Sequence, residues 1–414
     1  MESSRLPPEL ETVLLADQEG RAVETAPHAE PRTPAEWLRE NLFSSPVNSA
    51  VTVLVGLLAG WAGWALLRWV VVTADWRVVQ ANMRVFMVAR FPEDKLWSIW
   101  ASLYVVVALA GLAWGVRGLR LSWTPRKAAL RAALATIAVL ALVYLLEGLS
   151  IWLWIGLVAA IYAAGVALGR VFPRALRVPL IVGWILAFPI VIWIVRFLAD
   201  VQPARWGGFF LNMVLAVVAI FASFPFGVFL AIGRRSPLWV ISKFSVLFIE
   251  FIRGVPLFTL LLFGQFVLPL LLPEGIDLAP IVRAMMMYTN FSAAYVAEIV
   301  RGGLQSIPDG QYEAGRAVGL STTRLTALVI LPQALRNTIP AMISNFISLF
   351  KDTSLIAGLA MLDLLAVARR APRLEFSGDI RESLLMAMLI FWIVAFSMSR
   401  WSQRLERRLG VGER

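Results

Sequence analysis

The chain has 414 residues, 59% of them hydrophobic and only 16% charged, with a mean hydropathy of +0.75. A soluble domain runs at about 45–50% apolar and about 25% charged. The excess here falls in runs of about 20 residues, the length that crosses about 30 Å of hydrocarbon. There is no cysteine, and the single histidine, His28, lies in an acidic N-terminal stretch, which excludes disulfides, thiolate metal sites and Cys- or His-based catalysis.

Residues 1–48 carry nine acidic and four basic side chains together with Pro7, Pro8, Pro27, Pro31 and Pro34, and read as a disordered cytoplasmic tail. The tail lacks the apolar core of a cleaved signal, so the first span is expected to be an uncleaved anchor. Apolar runs follow near 50–73, 98–116, 128–148, 151–169, 178–198, 209–232, 244–272, 280–300, 326–350 and 383–401. They predict an all-α integral membrane protein with eight to ten transmembrane helices. Only Glu147-Gly148-Leu149-Ser150 separates the third run from the fourth, and Glu147 reads as a loop residue. Pro256 and Pro269 predict a kink or break in the seventh run.

The net charge of +11 sits in short loops between these runs, a distribution that fits membrane orientation and argues against nucleic-acid binding. Arg117, Arg120, Arg126 and Lys127, then Arg170, Arg174 and Arg177, then Arg234 and Arg235, and finally Arg400, Arg404, Arg407 and Arg408 share one side if ten spans alternate from a cytoplasmic N-terminus. Loops 147–150 and 273–278 contain no Lys or Arg. The positive-inside rule therefore places both termini in the cytoplasm. Two segments dissent. Residues 75–95 carry Arg77, Arg84, Arg90 and Lys95 and read as an interfacial helix, while 369–381 read as a re-entrant or half-spanning segment. The loop 301–325 is cytoplasmic on the same argument.

No G-x-x-x-x-G-K-[ST] occurs, so the chain cannot cradle nucleotide phosphates in that manner, and an ATP-driven process would need its ATPase on a partner. The loop after the eighth run is nevertheless patterned. Ile307-Pro308-Asp309-Gly310-Gln311 reads as a turn with Asp309 as helix N-cap, and Glu313, Ala314, Arg316 and Ala317 support one or two helical turns. Gly319 stops the helix or admits another backbone, and Leu320-Ser321 opens the return to the membrane. Read alone, these residues suit either a short helix pushed into a partner's groove or a solvated loop with a capped turn.

The spacing of Glu313-Ala314, Gly319 and Leu331-Pro332 resembles the EAA motif of binding-protein-dependent ABC importer permeases, with Gly315 and Val329 as departures from its usual Ala and Ile. The resemblance extends over 206–408 through Gly207-Gly208-Phe209-Phe210-Leu211-Asn212, Phe224-Pro225-Phe226-Gly227, Glu250-Phe251-Ile252-Arg253-Gly254-Val255-Pro256-Leu257, Ala297-Glu298-Ile299-Val300-Arg301-Gly302-Gly303 and Phe350-Lys351-Asp352-Thr353-Ser354-Leu355. It looks like the core of permeases that import polar amino acids, and residues 49–200 look like the extra helices of the larger permeases of general L-amino-acid systems. The resemblance implies a C-terminal five-helix permease domain in the bacterial inner membrane. It also implies a coupling helix in which Glu313, Ala314, Gly315, Gly319 and Leu320 seat in an ABC ATPase subunit. Further implied partners are a second similar permease, giving a heterodimer, and a periplasmic amino-acid-binding protein touching outer loops such as 273–278. ATP and Mg would be held by the ATPase, with no cofactor, metal or catalytic residue on this chain.

Ionisable groups inside spans are costly and usually face a partner or a watery cavity. Lys351-Asp352, followed by Thr353-Ser354, matches the paired charges of an amino acid and reads either as substrate pathway or as an ion pair neutralised across a helix break. Glu250 with Arg253 and Glu298 with Arg301 are i, i+3 pairs; the first reads as structural, the second as a snorkelling pair or part of the pathway. Asn290, Ser292 and Tyr295 are candidates for the pathway wall, and Met285-Met286-Met287 for packing. Gly56, Gly60, Gly63, Ala159, Ala160, Ala163 and Ala164 suit close helix contacts. The expected function is the permease subunit of an ATP-driven importer of polar L-amino acids. The alternative is an ion-gradient-driven secondary transporter of a small polar solute, which predicts inverted repeats; none is evident between 50–200 and 209–400. A membrane-embedded enzyme ranks third, for want of residues to do the chemistry.

Overall fold

A computed structural model describes residues 33–116, 149–370 and 380–409. The chain divides into two units, Met1–Ala74 and Asp75–Arg414. In the first, α1 (Pro34–Asn41) opens with a capping box: Thr33 Oγ1 accepts from the Glu36 amide, and Glu36 accepts from the Thr33 amide at 2.9 Å. Ser45 then caps α2 (Pro46–Arg68), which is apolar on every side and buries none of its residues. Gly56, Gly60 and Gly63 have nothing within 4 Å of where a Cβ would stand, so the close contacts expected of them are not made within the described residues.

In the second unit, α3 (Arg77–Val88) is a short amphipathic helix that buries Val78, Val79, Asn82, Phe86 and Val88. Three of its segment's four basic residues pair locally, Arg77 with Asp75 at 2.6 Å, Arg84 with Glu93 at 2.6 Å and Lys95 with Asp94 at 3.8 Å. The segment expected as an interfacial helix is thus a short amphipathic helix with one face packed on the rest of this unit. Next come α4 (Trp97–Val116), α5 (Leu149–Val171) and α6 (Arg177–Trp193). Here four glycines make the close approach. A Cβ on Gly111 would stand 2.5 Å from the Tyr162 carbonyl oxygen and one on Gly165 2.9 Å from that of Ala108, while Gly115 and Gly169 meet one helical turn on. The alanines at 159, 160, 163 and 164 are exposed instead. Trp100 and Trp154 stack across the same pair at 5.7 Å. The expected span 128–148 and Glu147 lie outside the described residues.

The remainder is built on α7 (Gly208–Arg234) and α10 (Pro280–Gln305), whose shared face holds fully buried Leu211, Leu215 and Tyr288. Between them, α8 (Trp239–Gly254) and α9 (Leu257–Leu271) meet at Pro256 with a bend of 104°, the break that the prolines predicted. After α10 come α11 (Asp309–Ala317), a single turn Thr322–Leu325 that widens through Thr326–Ile330, and α12 (Leu331–Asp352). A 3-10 segment, Thr353–Leu359, leads to α13 (Leu364–Arg370), and α14 (Arg381–Leu409) closes the described chain. Of the dissenting segment 369–381, positions 371–379 lie outside the described residues.

Six described helices are long and apolar enough to cross a membrane, or seven if the bent α8–α9 pair is one span. With 26 and 22 residues, α10 and α12 also have the length, but their polar side chains, among them Arg283, Glu298 and Lys351, take them out of a purely apolar count. Those are the helices that carry the site.

Candidate functional site

The α11 segment stands between the two polar helices. Its first residue is Asp309, and Pro308 occupies the cap position without a side-chain bond, which corrects the expected Asp309 cap: the carboxylate instead lies in the first turn, where it favours the helix dipole. Glu313, Ala314 and Arg316 are exposed. At the far end the chain turns through Gly319 at φ +79°. The Gly319 amide donates to the Arg316 carbonyl at 2.9 Å and the Leu320 amide to the Gly315 carbonyl at 3.1 Å, the two bonds of a Schellman stop. Gly319 thus performs the expected helix termination, and no described residue lies within 4 Å of where its Cβ would stand. Gly315 is buried, and any Cβ there would run into the Leu325 side chain, which is itself 2% exposed. The departure from alanine at this position is therefore a fit to Leu325. Leu320 and Tyr312 pack partly buried on the apolar cluster of Val300, Leu304 and Ile330.

Polar contacts fasten α11 to its neighbours. Tyr312 Oη donates to the Leu304 carbonyl at 3.3 Å and accepts from Arg235 Nη1 at 3.3 Å. Gln333 Nε2 on α12 donates to Gln311 Oε1 at 3.2 Å, and beside it Asn337 Nδ2 of α12 donates to Ser306 Oγ, at the end of α10, at 3.1 Å. The helix is thus fastened along its inner side and exposes its outward face.

Just behind it, Glu298 collects three guanidiniums. Arg234 approaches to 2.7 Å, Arg301 to 2.9 Å and Arg253 to 3.5 Å, while the Glu298 side chain is 14% exposed. Arg253 also lies over the Tyr295 ring, 5.7 Å from its centroid. The expected Glu250–Arg253 pair is not formed; Arg234 takes Glu250 at 3.1 Å, so the charges of α8 face α7 and α10 rather than each other. Glu298 with Arg301 is formed as expected, but as part of a five-residue network joining three helices.

Lys351 to Ser354 sit elsewhere. Tyr288 Oη donates to the Asp352 carbonyl at 2.8 Å, and ten helical residues separate Tyr288 from Glu298, about 15 Å along α10. The seven candidate pathway residues therefore fall into two groups, Glu298 with Tyr295 and Lys351 through Ser354, with Asn290 on α10 between them. Helix α12 ends at Asp352, as the expected break requires. Among the described residues neither the Lys351 ammonium nor the Asp352 carboxylate has an ion-pair partner. Ser344, Ser348 and Lys351, one face of α12, line an open cleft of about 570 Å³ against Met388, Trp392 and Phe396 of α14. Thr353, by contrast, is fully buried: it accepts from Asn212 Nδ2 at 3.1 Å and donates to the Phe350 carbonyl at 2.7 Å. Ser354 Oγ donates to the Lys351 carbonyl at 2.9 Å.

The Asn212 contact belongs to a buried hub absent from the expectations. Asn212 Nδ2 also donates to Asp363 Oδ2 at 3.3 Å, its Oδ1 accepts the Leu364 amide at 3.0 Å, and Asp363 Oδ1 accepts the Ala366 amide at 2.8 Å. Gly208, at φ +60°, bridges to Asp363, and a Cβ there would stand 2.5 Å from the Phe86 carbonyl oxygen. The hub fixes where α7 and α13 begin. Tyr288 was also missed, although a tyrosine within an apolar run needs a partner for its hydroxyl, and that was the available signal.

A helical membrane protein with a broken span and an exposed short helix between two polar helices has the architecture expected of a transport permease, and the comparisons with known proteins bear this out. Residues 223–411 match the family described as binding-protein-dependent transport system inner membrane component. The glutamate/glutamine/aspartate/asparagine transport system permease protein BztC of Rhodobacter capsulatus is 34% identical over 414 residues, covering 90% of this chain and 93% of that protein. The inner membrane amino-acid ABC transporter permease protein YhdY of Escherichia coli is 33% identical, covering 91% and 93%. A probable glutamine ABC transporter permease of Bacillus subtilis, GlnP, is 36% identical over 49% of this chain and 92% of its own length. The chain belongs to the family of amino-acid ABC importer permeases, which leaves the ion-gradient alternative without support.

Proposed function

We propose that this chain is the membrane subunit that carries polar L-amino acids from the periplasm to the cytoplasm, with both termini cytoplasmic and α11 seated in a separate ABC ATPase that holds ATP and Mg. The carrying observation is α11 itself: an exposed helix with Glu313, Ala314 and Arg316 outward, stopped by Gly319 and braced from behind by Arg235 and Gln333. A braced knob with no partner of its own suits transmission of force. A second, similar permease and a periplasmic binding protein complete the assembly, and residues 206–408 act as the transporting domain, with 49–200 as added helices and 1–48 as a cytoplasmic tail. The names of BztC and YhdY favour amino acids as cargo, and BztC's favours acidic and amide side chains.

Lys351, Asp352 and Ser354 are proposed to meet substrate, Lys351 its carboxylate and Asp352 its ammonium, because both charges lack ion-pair partners among the described residues. Thr353 supports them from within the hub, and Asn290, Tyr295 and Glu298 stand further along the path. The test is co-purification of the full chain with its ATPase. Glu313→Arg together with Gly319→Ala should release the ATPase while the permease still inserts; retention of the ATPase at wild-type stoichiometry would overturn the docking reading.

A further inference from the structure

The network around Glu298 contains more pairing than one arrangement needs. The network forms four ion pairs: Arg234 with Glu250, and Arg234, Arg253 and Arg301 each with Glu298. Glu250 and Arg253 lie three residues apart on α8, a spacing that lets them pair with each other on one helical face. If α8 moved away, Glu298 would keep Arg234 and Arg301, and α8 would close its own Glu250–Arg253 pair. Three ion pairs would then remain and no carboxylate would be stranded.

Other features favour movement of this helix. Of its 16 residues α8 fully buries only Ser245, Ile249 and Ile252, with Phe248 half-buried against α7 and α10, and a membrane helix leaving such contacts exchanges protein for lipid rather than for water. It ends at Gly254, around which a Cβ would meet nothing, followed by Val255-Pro256 and the 104° bend into α9. The next arginine after Arg234 is Arg235, which holds Tyr312 of α11.

We propose that this cluster is a partner-exchange joint, in which Glu298 is the positioning residue that docks α8 on α7 and α10, and the Glu250–Arg253 pair stabilises the separated helix. The joint gives α8 two discrete arrangements of similar energy, the kind of two-state element that coupling between distant sites requires. Its link to ATP hydrolysis rests on the docking of α11 proposed above.

The arithmetic of the pairs makes the test sharp. Removing Glu298 leaves one pair in each arrangement and cancels the docked advantage. Removing Glu250 or Arg253 takes one pair from each arrangement and leaves the balance unchanged. The chain has no cysteine, so spin labels at Val240→Cys on α8 and Leu328→Cys, both exposed, report the distance by pulsed electron paramagnetic resonance in the full chain assembled with its ATPase. Two distance populations are expected, with Glu298→Gln enriching the separated one by about threefold, the order of one solvent-screened ion pair, and Glu250→Gln and Arg253→Gln leaving the ratio unchanged. Should Glu298→Gln not assemble, Glu298→Asp, with its shorter reach to Arg253, should shift the ratio the same way by less. A single population in all variants, or equal loosening by Glu250→Gln and Glu298→Gln, overturns the joint. If the variants behave as expected but ATP leaves the ratio untouched, the joint stands and its link to ATP hydrolysis falls; loss of the docking reading would show separately, as failure of the ATPase to co-purify.

Discussion

Helix α10 serves two neighbourhoods that treat charge in opposite ways. Near its α11 end, Glu298 is enclosed by Arg234, Arg253 and Arg301, each of which already has a partner. Near its other end, Tyr288 reaches the Asp352 backbone, and the adjacent Lys351 and Asp352 side chains have no ion-pair partner among the described residues. An ionised group inside a membrane protein is tolerated when paired or when it faces a watery path. The first neighbourhood takes the former course and builds a joint between helices. The second leaves Lys351 and Asp352 without an ion-pair partner among the described residues, which is why it is the neighbourhood proposed to meet a zwitterion. Substitutions at the two should therefore fail differently, one in mechanics and one in recognition.

The largest effect is expected from Asp352→Asn. Losing a charge-assisted contact to substrate should raise the KM for L-amino-acid uptake by about tenfold or more, with ATPase binding intact. Unchanged uptake kinetics would return Asp352 to a structural role and erase the contrast. Next comes Gly315→Ala, which drives a Cβ into Leu325 and should lower the stability of the α11 region by about 1–3 kcal/mol. Protease resistance of the 301–325 loop would report the loss, and Leu325→Val should recover part of it. Gly319→Ala keeps the space but forces a left-handed alanine, at about 1 kcal/mol, and should fray α11 in hydrogen exchange. The smallest effect concerns Asp75, outside the spans, whose carboxyl is held below its usual range by hydrogen bonds from Arg77. A lowered carboxyl contributes stability above its unfolded pKa and loses it as pH falls through the folded one. Asp75→Asn should thus lower thermal stability slightly near neutral pH, where the lowered carboxyl contributes, and converge with the wild type at acid pH, flattening the acid side of the profile.

The regular and local parts of this architecture were legible from spacing. Apolar runs marked most spans, Pro256 marked the break, and the Glu313–Gly319–Pro332 spacing marked the knob. What escaped were contacts set by tertiary neighbours. Glu250 reads locally as Arg253's partner, yet α7 brings Arg234 within 3.1 Å and takes it. The glycines at 56, 60 and 63 have the same small-residue spacing as Gly111 and Gly115, but only the latter meet another backbone. Asp363 caps the start of α13 locally through the Ala366 amide, but its tie to Asn212, some 150 positions earlier, exists only in the fold. Gly315, a departure from the family pattern, became intelligible once Leu325 was seen against it.

The central claim is that α11 passes work from an ATPase on another chain into this permease. Proteoliposomes containing the full assembly, loaded with ATP and Mg and supplied outside with binding protein and labelled L-glutamine, test it most directly. The account predicts uphill uptake that requires internal ATP, persists when ion gradients are collapsed, and disappears in Glu313→Arg/Gly319→Ala. Uptake that survives in that variant, or that follows an ion gradient without ATP, would contradict it.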